Sequence, residues 1–110
     1  MEEVKRILER VDGGTVLGFR DLLLFSLLYR LGLRLGEALA VDLADIDLEA
    51  GVVRIHGKGR RERTLPLLPD LVGLLRRWLL LRSRLHRSDR SPALFLSKKG
   101  NRLSARAAQE

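Results

Sequence analysis

Cysteine is absent from the sequence. Disulfides and thiol chemistry are therefore excluded, while the redox compartment stays open. Histidine is nearly absent: His56 and His86 are the only two, and they stand far apart. With no cysteine beside them they give no support to a metal site. Tyrosine occurs once, as Tyr29. There is also no long apolar run. The longest, residues 22–31, is broken by Ser26 and Arg30 and falls well short of the roughly 20 residues a membrane span needs. The first residues, Met1-Glu2-Glu3-Val4-Lys5-Arg6, are charged and lack the apolar core of a signal peptide. These absences lead us to expect a soluble, cytoplasmic chain with no membrane partner. No internal repeat is visible, and no low-complexity segment beyond an arginine bias.

What is present is positive charge, unevenly placed. The 110 residues carry a net charge of +7. Residues 1–50 hold six Lys/Arg against ten Asp/Glu, a balance of −4, whereas residues 51–110 hold fifteen against four, a balance of +11. A basic half is the usual electrostatic footprint of a nucleic-acid partner. The alternative is a solvated arginine-rich surface. Hydrophobic residues make up 45% of the chain, enough for the core of one small domain or of part of a larger one.

The apolar spacing predicts α+β architecture, mainly helical, with a small three-stranded antiparallel sheet. Val4, Ile7, Leu8 and Val11 fall on one helical face, and Asp12-Gly13-Gly14-Thr15 stops that helix. A second helix is expected from about Gly18 to Leu31, apolar nearly all round and so buried. After Gly32–Gly36 a short helix should carry Ala38, Leu39 and Val41 and end near Asp42. Asp45-Ile46-Asp47-Leu48 alternates polar and apolar, and Val52 to His56 has strong strand character. Gly57-Lys58-Gly59-Arg60 reads as a tight turn, with Arg61 to Leu67 as the return strand. Pro69 suits the first turn of a helix whose buried stripe is Leu71, Leu74, Leu75, Trp78 and Leu79, with Arg76, Arg77, Arg82 and Arg84 largely off it. Residues 86–92 read as a surface loop and 93–97 as a short strand or extended segment. Lys98-Lys99-Gly100-Asn101 is a turn, and Ser104 an N-cap for a last helix near Ala105.

The stretch Gly32-Leu33-Arg34-Leu35-Gly36-Glu37 organises this pattern. Glycine tolerates the backbone angles of a sharp turn. An arginine between two such glycines would be held by helices on both sides. Its forked, always-charged guanidinium suits two oxygens of one phosphate. The alternative is an arginine at a helix junction, paired with Glu37 three residues on.

Four segments together resemble the tyrosine recombinases, also called the phage integrase family. Residues 28–39, Leu-Tyr-Arg-Leu-Gly-Leu-Arg-Leu-Gly-Glu-Ala-Leu, are similar to the family's first box. Asp45-Ile46-Asp47 is similar to the acidic pair that opens its small sheet. Residues 55–67, which include Gly57-Lys58-Gly59, Arg63 and Pro66-Leu67, resemble its β-hairpin. Leu94-Phe95-Leu96-Ser97 before a glycine turn resembles the segment leading to its later helices. Lys58 lies 24 residues after Arg34, a separation typical of the family. The resemblance covers nearly the whole chain.

The resemblance implies the N-terminal half of a recombinase catalytic domain, residues 1–110. The family's His-x-x-Arg box, its further His or Trp and its nucleophilic tyrosine have no counterpart here. Glycine and aspartate stand three residues after the two histidines, and Tyr29 lies before Arg34, where the family's nucleophile does not sit. Such a chain is expected to bind double-stranded DNA without cutting it alone. In the family, tyrosine attack on a phosphodiester leaves a 3′-phosphotyrosyl link and a free 5′-hydroxyl. By resemblance Arg34 stabilises the charge that builds on the phosphate oxygens, and Lys58 protonates the leaving 5′-oxygen. Glu37 supports the site by holding Arg34 or capping the short helix. Arg60, Arg61 and Arg63 are candidates for DNA backbone contacts, which set affinity rather than sequence preference. Lys98 and Lys99, with Arg102, form a second basic turn. His56 is expected to be a strand residue without catalytic duty. No cofactor or metal is implied. Self-association, or association with a full-length recombinase, is expected if apolar faces of the second helix stay exposed. Two competing readings are a non-catalytic basic DNA-binding module and an unrelated α+β interaction domain.

Overall fold

The computed structural model describes residues 16–57, 59 and 61–109. The helix expected over residues 2–11, the turn that ends it, Lys58 and Arg60 lie outside the described residues. Helix α1 (Val16–Leu31) is followed by α2 (Leu35–Leu39) and a 3₁₀ turn (Leu43–Asp45). Three strands come next: β1 (Ile46–Asp47), β2 (Val52–His56) and β3 (Glu62–Pro66). Helix α3 (Pro69–Arg82), a second 3₁₀ turn (Ser88–Arg90) and α4 (Ala105–Gln109) complete the order. No helix among the described residues is long and apolar enough to cross a membrane.

Helix α1 buries Val16, Phe19, Arg20, Leu23, Leu24 and Leu27. These residues recur at three- and four-residue steps and form one face. The expectation of burial all round is corrected: Phe25 is 67% and Tyr29 91% exposed. Both stand two residues on from a core leucine, on the far side of the helix turn. The helix runs out at Gly32, whose φ of 66° is left-handed, a backbone state glycine adopts without a Cβ penalty. Helix α2 is shorter than expected, because Ala40 closes it and Val41 is already outside.

The sheet order is β1-β2-β3, antiparallel throughout. The register sets Ile46 opposite Val53, Val53 opposite Leu65, Ile55 opposite Arg63 and His56 opposite Glu62. Directly opposed residues share a face. Val53 and Ile55 are buried, so Leu65 and Arg63 belong to the inner face, and Arg54, His56, Glu62 and Thr64 to the outer one. Strand β3 is an edge and is mostly exposed.

Helix α3 packs against α1, and the Arg30 guanidinium forms a two-pronged ion pair with Asp70 at the helix ends. The core gathers Phe19 and Leu23 of α1, Ile55 of the sheet, and Leu71, Leu75 and Trp78 of α3. Trp78 stacks on Phe95 with ring centroids 6.5 Å apart, and its indole N–H donates to the Leu94 carbonyl at 2.9 Å. Residues 93–96 are fully buried. They run as an extended segment rather than a sheet strand. The Leu94 N–H donates to the Val41 carbonyl at 3.0 Å, and the Leu103 N–H to the Phe95 carbonyl at 2.9 Å.

Two arginines are internal supports, and one of them, Arg82, was expected off the buried stripe. Arg82 is 6% exposed. Its guanidinium donates to the carbonyls of Ser88 (3.0 Å), Ser91 (2.7 Å) and Ala93 (3.0 and 2.6 Å). It thereby folds the polar loop of residues 83–92 onto the end of α3, and burial lowers its pKa. Arg82 lies four residues after Trp78, on the buried stripe itself; its methylenes pack while its head meets backbone oxygens. Arg20 donates to the Leu96 carbonyl at 3.1 Å. The turn after residue 97 closes through Gly100, with φ of 88°. A Cβ there would stand 2.0 Å from the His86 carbonyl oxygen, so glycine is required. The Ser104 hydroxyl accepts from the Ala107 N–H at 3.1 Å and caps α4 as expected.

Candidate functional site

An open cleft of about 570 Å³ lies between the α1–α2 junction and the root of the β2–β3 hairpin. Gly32, Arg34, Gly36, Glu37, Gly57, Arg61 and Arg63 line it. Three arginines against one glutamate leave it net positive. Two segments some twenty residues apart in sequence thus face one space.

Arg34 is the N-cap residue of α2, with extended backbone (φ −78°, ψ 151°). Its side chain is exposed. The helix-junction alternative, in which its guanidinium pairs with Glu37, is not what forms. Glu37 Oε1 accepts the main-chain N–H of Arg34 at 2.9 Å, as the third residue of a helix commonly does for its N-cap. Arginine has donors only, so it cannot return the bond. The Glu37 carboxylate also accepts two bonds from Arg63, at 2.7 and 3.3 Å. These bonds, from Arg63 and then from the Arg34 backbone, lower the Glu37 pKa to about 2. Among the described residues, no carboxylate lies within ion-pair distance of the Arg34 or Arg61 guanidinium. Both remain available to an anion in the cleft.

Gly57, the residue before Lys58, donates its N–H to the Arg61 carbonyl at 2.6 Å and closes the base of the hairpin turn. Gly59 has φ of 73°. Lys58 and Arg60 are outside the described residues. Lys98 and Lys99 are exposed in their turn but do not line the cleft. Arg102, grouped with them in the sequence, donates instead to the Leu39 carbonyl at 2.9 Å and pairs with Asp42. It closes the loop after α2.

On the outer face of the sheet, His56 Nε2 meets Asp45 Oδ1 at 2.9 Å. Its Nδ1 lies 3.3 Å from Glu62 Oε1. The bond to Asp45 raises the His56 pKa above its usual 6.5. Among the described residues no group of three or more metal-ligating side chains comes together.

A sequence model described as the phage integrase family matches residues 1–110. The chain belongs to the phage integrase family. Tyrosine recombinase XerC of Vibrio vulnificus (strain YJ016) is 40% identical over 111 residues, which cover 100% of this chain and 34% of that protein. Tyrosine recombinase XerC of Escherichia coli O127:H6 is 39% identical over 110 residues, covering 100% of this chain and 36% of that protein. The chain therefore spans about a third of the length of these family relatives. Among solved structures, XerH site-specific recombinase bound to palindromic difH substrate superposes with a TM-score of 0.67 at 29% identity, over 94% of this chain and 30% of that one. XerA recombinase gives a TM-score of 0.70 at 22% identity, over 97% of this chain and 37% of that one, a likeness of fold. The α+β architecture with its three-stranded sheet is thus the phage integrase architecture.

Proposed function

We propose that residues 1–110 form the N-terminal half of the catalytic domain of a site-specific tyrosine recombinase, and that the cleft takes one phosphodiester of double-stranded DNA. The observation that carries this reading is that Arg34 and the root of the Gly57–Gly59 hairpin line the same space. Arg34 stabilises the negative charge that develops on the phosphate oxygens when the strand is attacked. Among the described residues its guanidinium is not engaged by a carboxylate, so no ion pair with them must break before it acts. Lys58, between the two hairpin glycines, is the general acid that protonates the leaving 5′-oxygen. Arg61, and Arg60 beside it, add DNA backbone contacts, and Lys98 and Lys99 a second, peripheral basic patch. The site of action is the cytoplasm, where such DNA is met.

The attacking tyrosine is not supplied by these 110 residues in this reading. Tyr29 stands at the exposed side of α1 and not among the residues that line the cleft. The chain alone binds DNA and does not cleave it. Phe25, Leu28, Leu35 and Ala108 line a shallow groove beside α1. That groove is the face on which further recombinase polypeptide, or a second copy of this chain, packs.

The test is the salt dependence of duplex binding. Each phosphate neutralised contributes about 0.9 to the slope of log Kobs against log salt. Arg34→Gln should lower that slope by about 0.9. A duplex affinity that ignores salt, or a slope unchanged by Arg34→Gln, rejects the proposed site.

A further inference from the structure

Glu37 and Arg63 are 26 residues apart and meet across the mouth of the cleft through two bonds, at 2.7 and 3.3 Å. The same carboxylate accepts the Arg34 main-chain N–H. One side chain therefore ties β3 to the residue that opens α2. The pair rests against the hairpin root. A Cβ built on Gly57 would stand 3.7 Å from Glu37 Oε2 and 3.8 Å from Arg63 Nη1. The register explains the reach: Arg63 opposes buried Ile55 and so projects from the inner face of the edge strand, toward α2.

A phosphate arriving in the cleft competes with Glu37 for Arg63. The Glu37 side chain is only 16% exposed. If Arg63 swung out, that carboxylate would lose its charged partner and face the incoming phosphate with like charge. Among the described residues no carboxylate places such an obligation on Arg34 or Arg61. The three arginines of the cleft are thus not equivalent.

We propose that Glu37 and Arg63 form a strut that fixes the hairpin root to the backbone of Arg34 and withholds Arg63 from DNA, leaving Arg34 and Arg61 as the phosphate contacts of the cleft. This rests on the DNA-binding reading above and refines it. Arg63 is a positioning residue: it acts by holding the hairpin, and hence the turn that carries Lys58, at a constant distance from Arg34. Glu37 is then both a cap for α2 and the device that keeps one arginine out of the phosphate count.

The experiment is a set of salt titrations of duplex binding with the 110-residue chain and its Arg34→Gln, Arg63→Gln and Glu37→Gln variants, each checked for folding by thermal melting. Arg34→Gln should lower the slope by about 0.9. Arg63→Gln should weaken binding several-fold at every salt concentration while leaving the slope unchanged. Glu37→Gln, which releases Arg63, should raise the slope toward an increment of about 0.9. If Arg34→Gln and Arg63→Gln lower the slope equally, the DNA-binding reading stands and the strut is refuted. If no variant moves the slope, the DNA-binding reading fails and the strut's role in DNA binding fails with it. A second measurement needs no DNA: Arg63→Gln should speed hydrogen exchange at the Gly57 amide about tenfold, because local opening of the hairpin root becomes easier. Unchanged exchange in a folded Arg63→Gln protein overturns the proposal.

Discussion

The His56 imidazole stands 2.9 Å from Asp45 Oδ1, so the last residue of β2 is tied to the residue just before β1. Glu62, its cross-strand partner, lies on the other ring nitrogen, and Arg54 approaches Asp45 to 3.8 Å on the same face. His56 is thus flanked by two carboxylates and one guanidinium, and the carboxylates dominate.

A pH dependence of stability follows. The His56 pKa is raised, first by its bond to Asp45 and then by the charges of Asp45 and Glu62, against desolvation and Arg54. A group whose folded pKa is raised stabilises the fold fully below its unfolded value of 6.5. That contribution disappears as pH rises through the folded value. The Asp45 pKa is lowered: burial pushes it up, but the Asp42 N–H and His56 together outweigh burial. Its contribution is present above the unfolded value of 3.8 and is lost as pH falls through the folded value. Thermal melts of the parent chain and His56→Gln should therefore differ most between those two pH values and converge on the alkaline side. A difference that persists unchanged at high pH would show that charge on His56 is irrelevant.

Arg82 offers a second check. Replacing it with leucine keeps much of the apolar stem and removes the donors to the Ser88, Ser91 and Ala93 carbonyls. Charge-assisted bonds to buried acceptors are the expensive kind to remove, so Arg82→Leu should destabilise the chain by about 3 kcal/mol in urea unfolding. A loss within about 0.5 kcal/mol, the range of an ordinary surface substitution, would place this arginine among the solvated ones.

Phe25 provides the third. It is 67% exposed beside Leu28 and Leu35, on the side of α1 that also exposes Tyr29. Sedimentation at rising concentration should show association of the parent chain, and Phe25→Asp should abolish it. A parent chain that stays monomeric at high concentration counts against a packing role for this face.

Much of this was legible in the sequence, for identifiable reasons. Helices α1 and α3 and the β2–β3 hairpin announce themselves through apolar spacing and the Gly57–Gly59 bracket, because local periodicity encodes which face is buried. Arg34 and Glu37, nominated by residue type and resemblance, and Arg61 and Arg63, nominated after the resemblance, meet in one cleft. The Glu37–Arg63 pair itself was not visible. It depends on strand register, which places Arg63 opposite Ile55 and on the inner face. Arg82 and Arg102 were misread as surface charge, since arginine letters do not distinguish a head group in water from one on backbone carbonyls. For Arg82 a signal existed, as it continues the Leu71–Leu74–Leu75–Trp78 stripe by one more helical step. For Arg102 there was none, because its acceptors at Leu39 and Val41 are some sixty residues earlier.

That last connection bears on how the arginine of the cleft keeps its place. The short helix opened by Arg34 is pinned at its far end by the Leu94 amide and the Arg102 guanidinium, both supplied from residues 94–102. Loosening residues 94–102 would free the far end of that helix without touching any residue that lines the cleft. Substitutions at a distance from Arg34 can thus tilt its helix and alter the cleft indirectly.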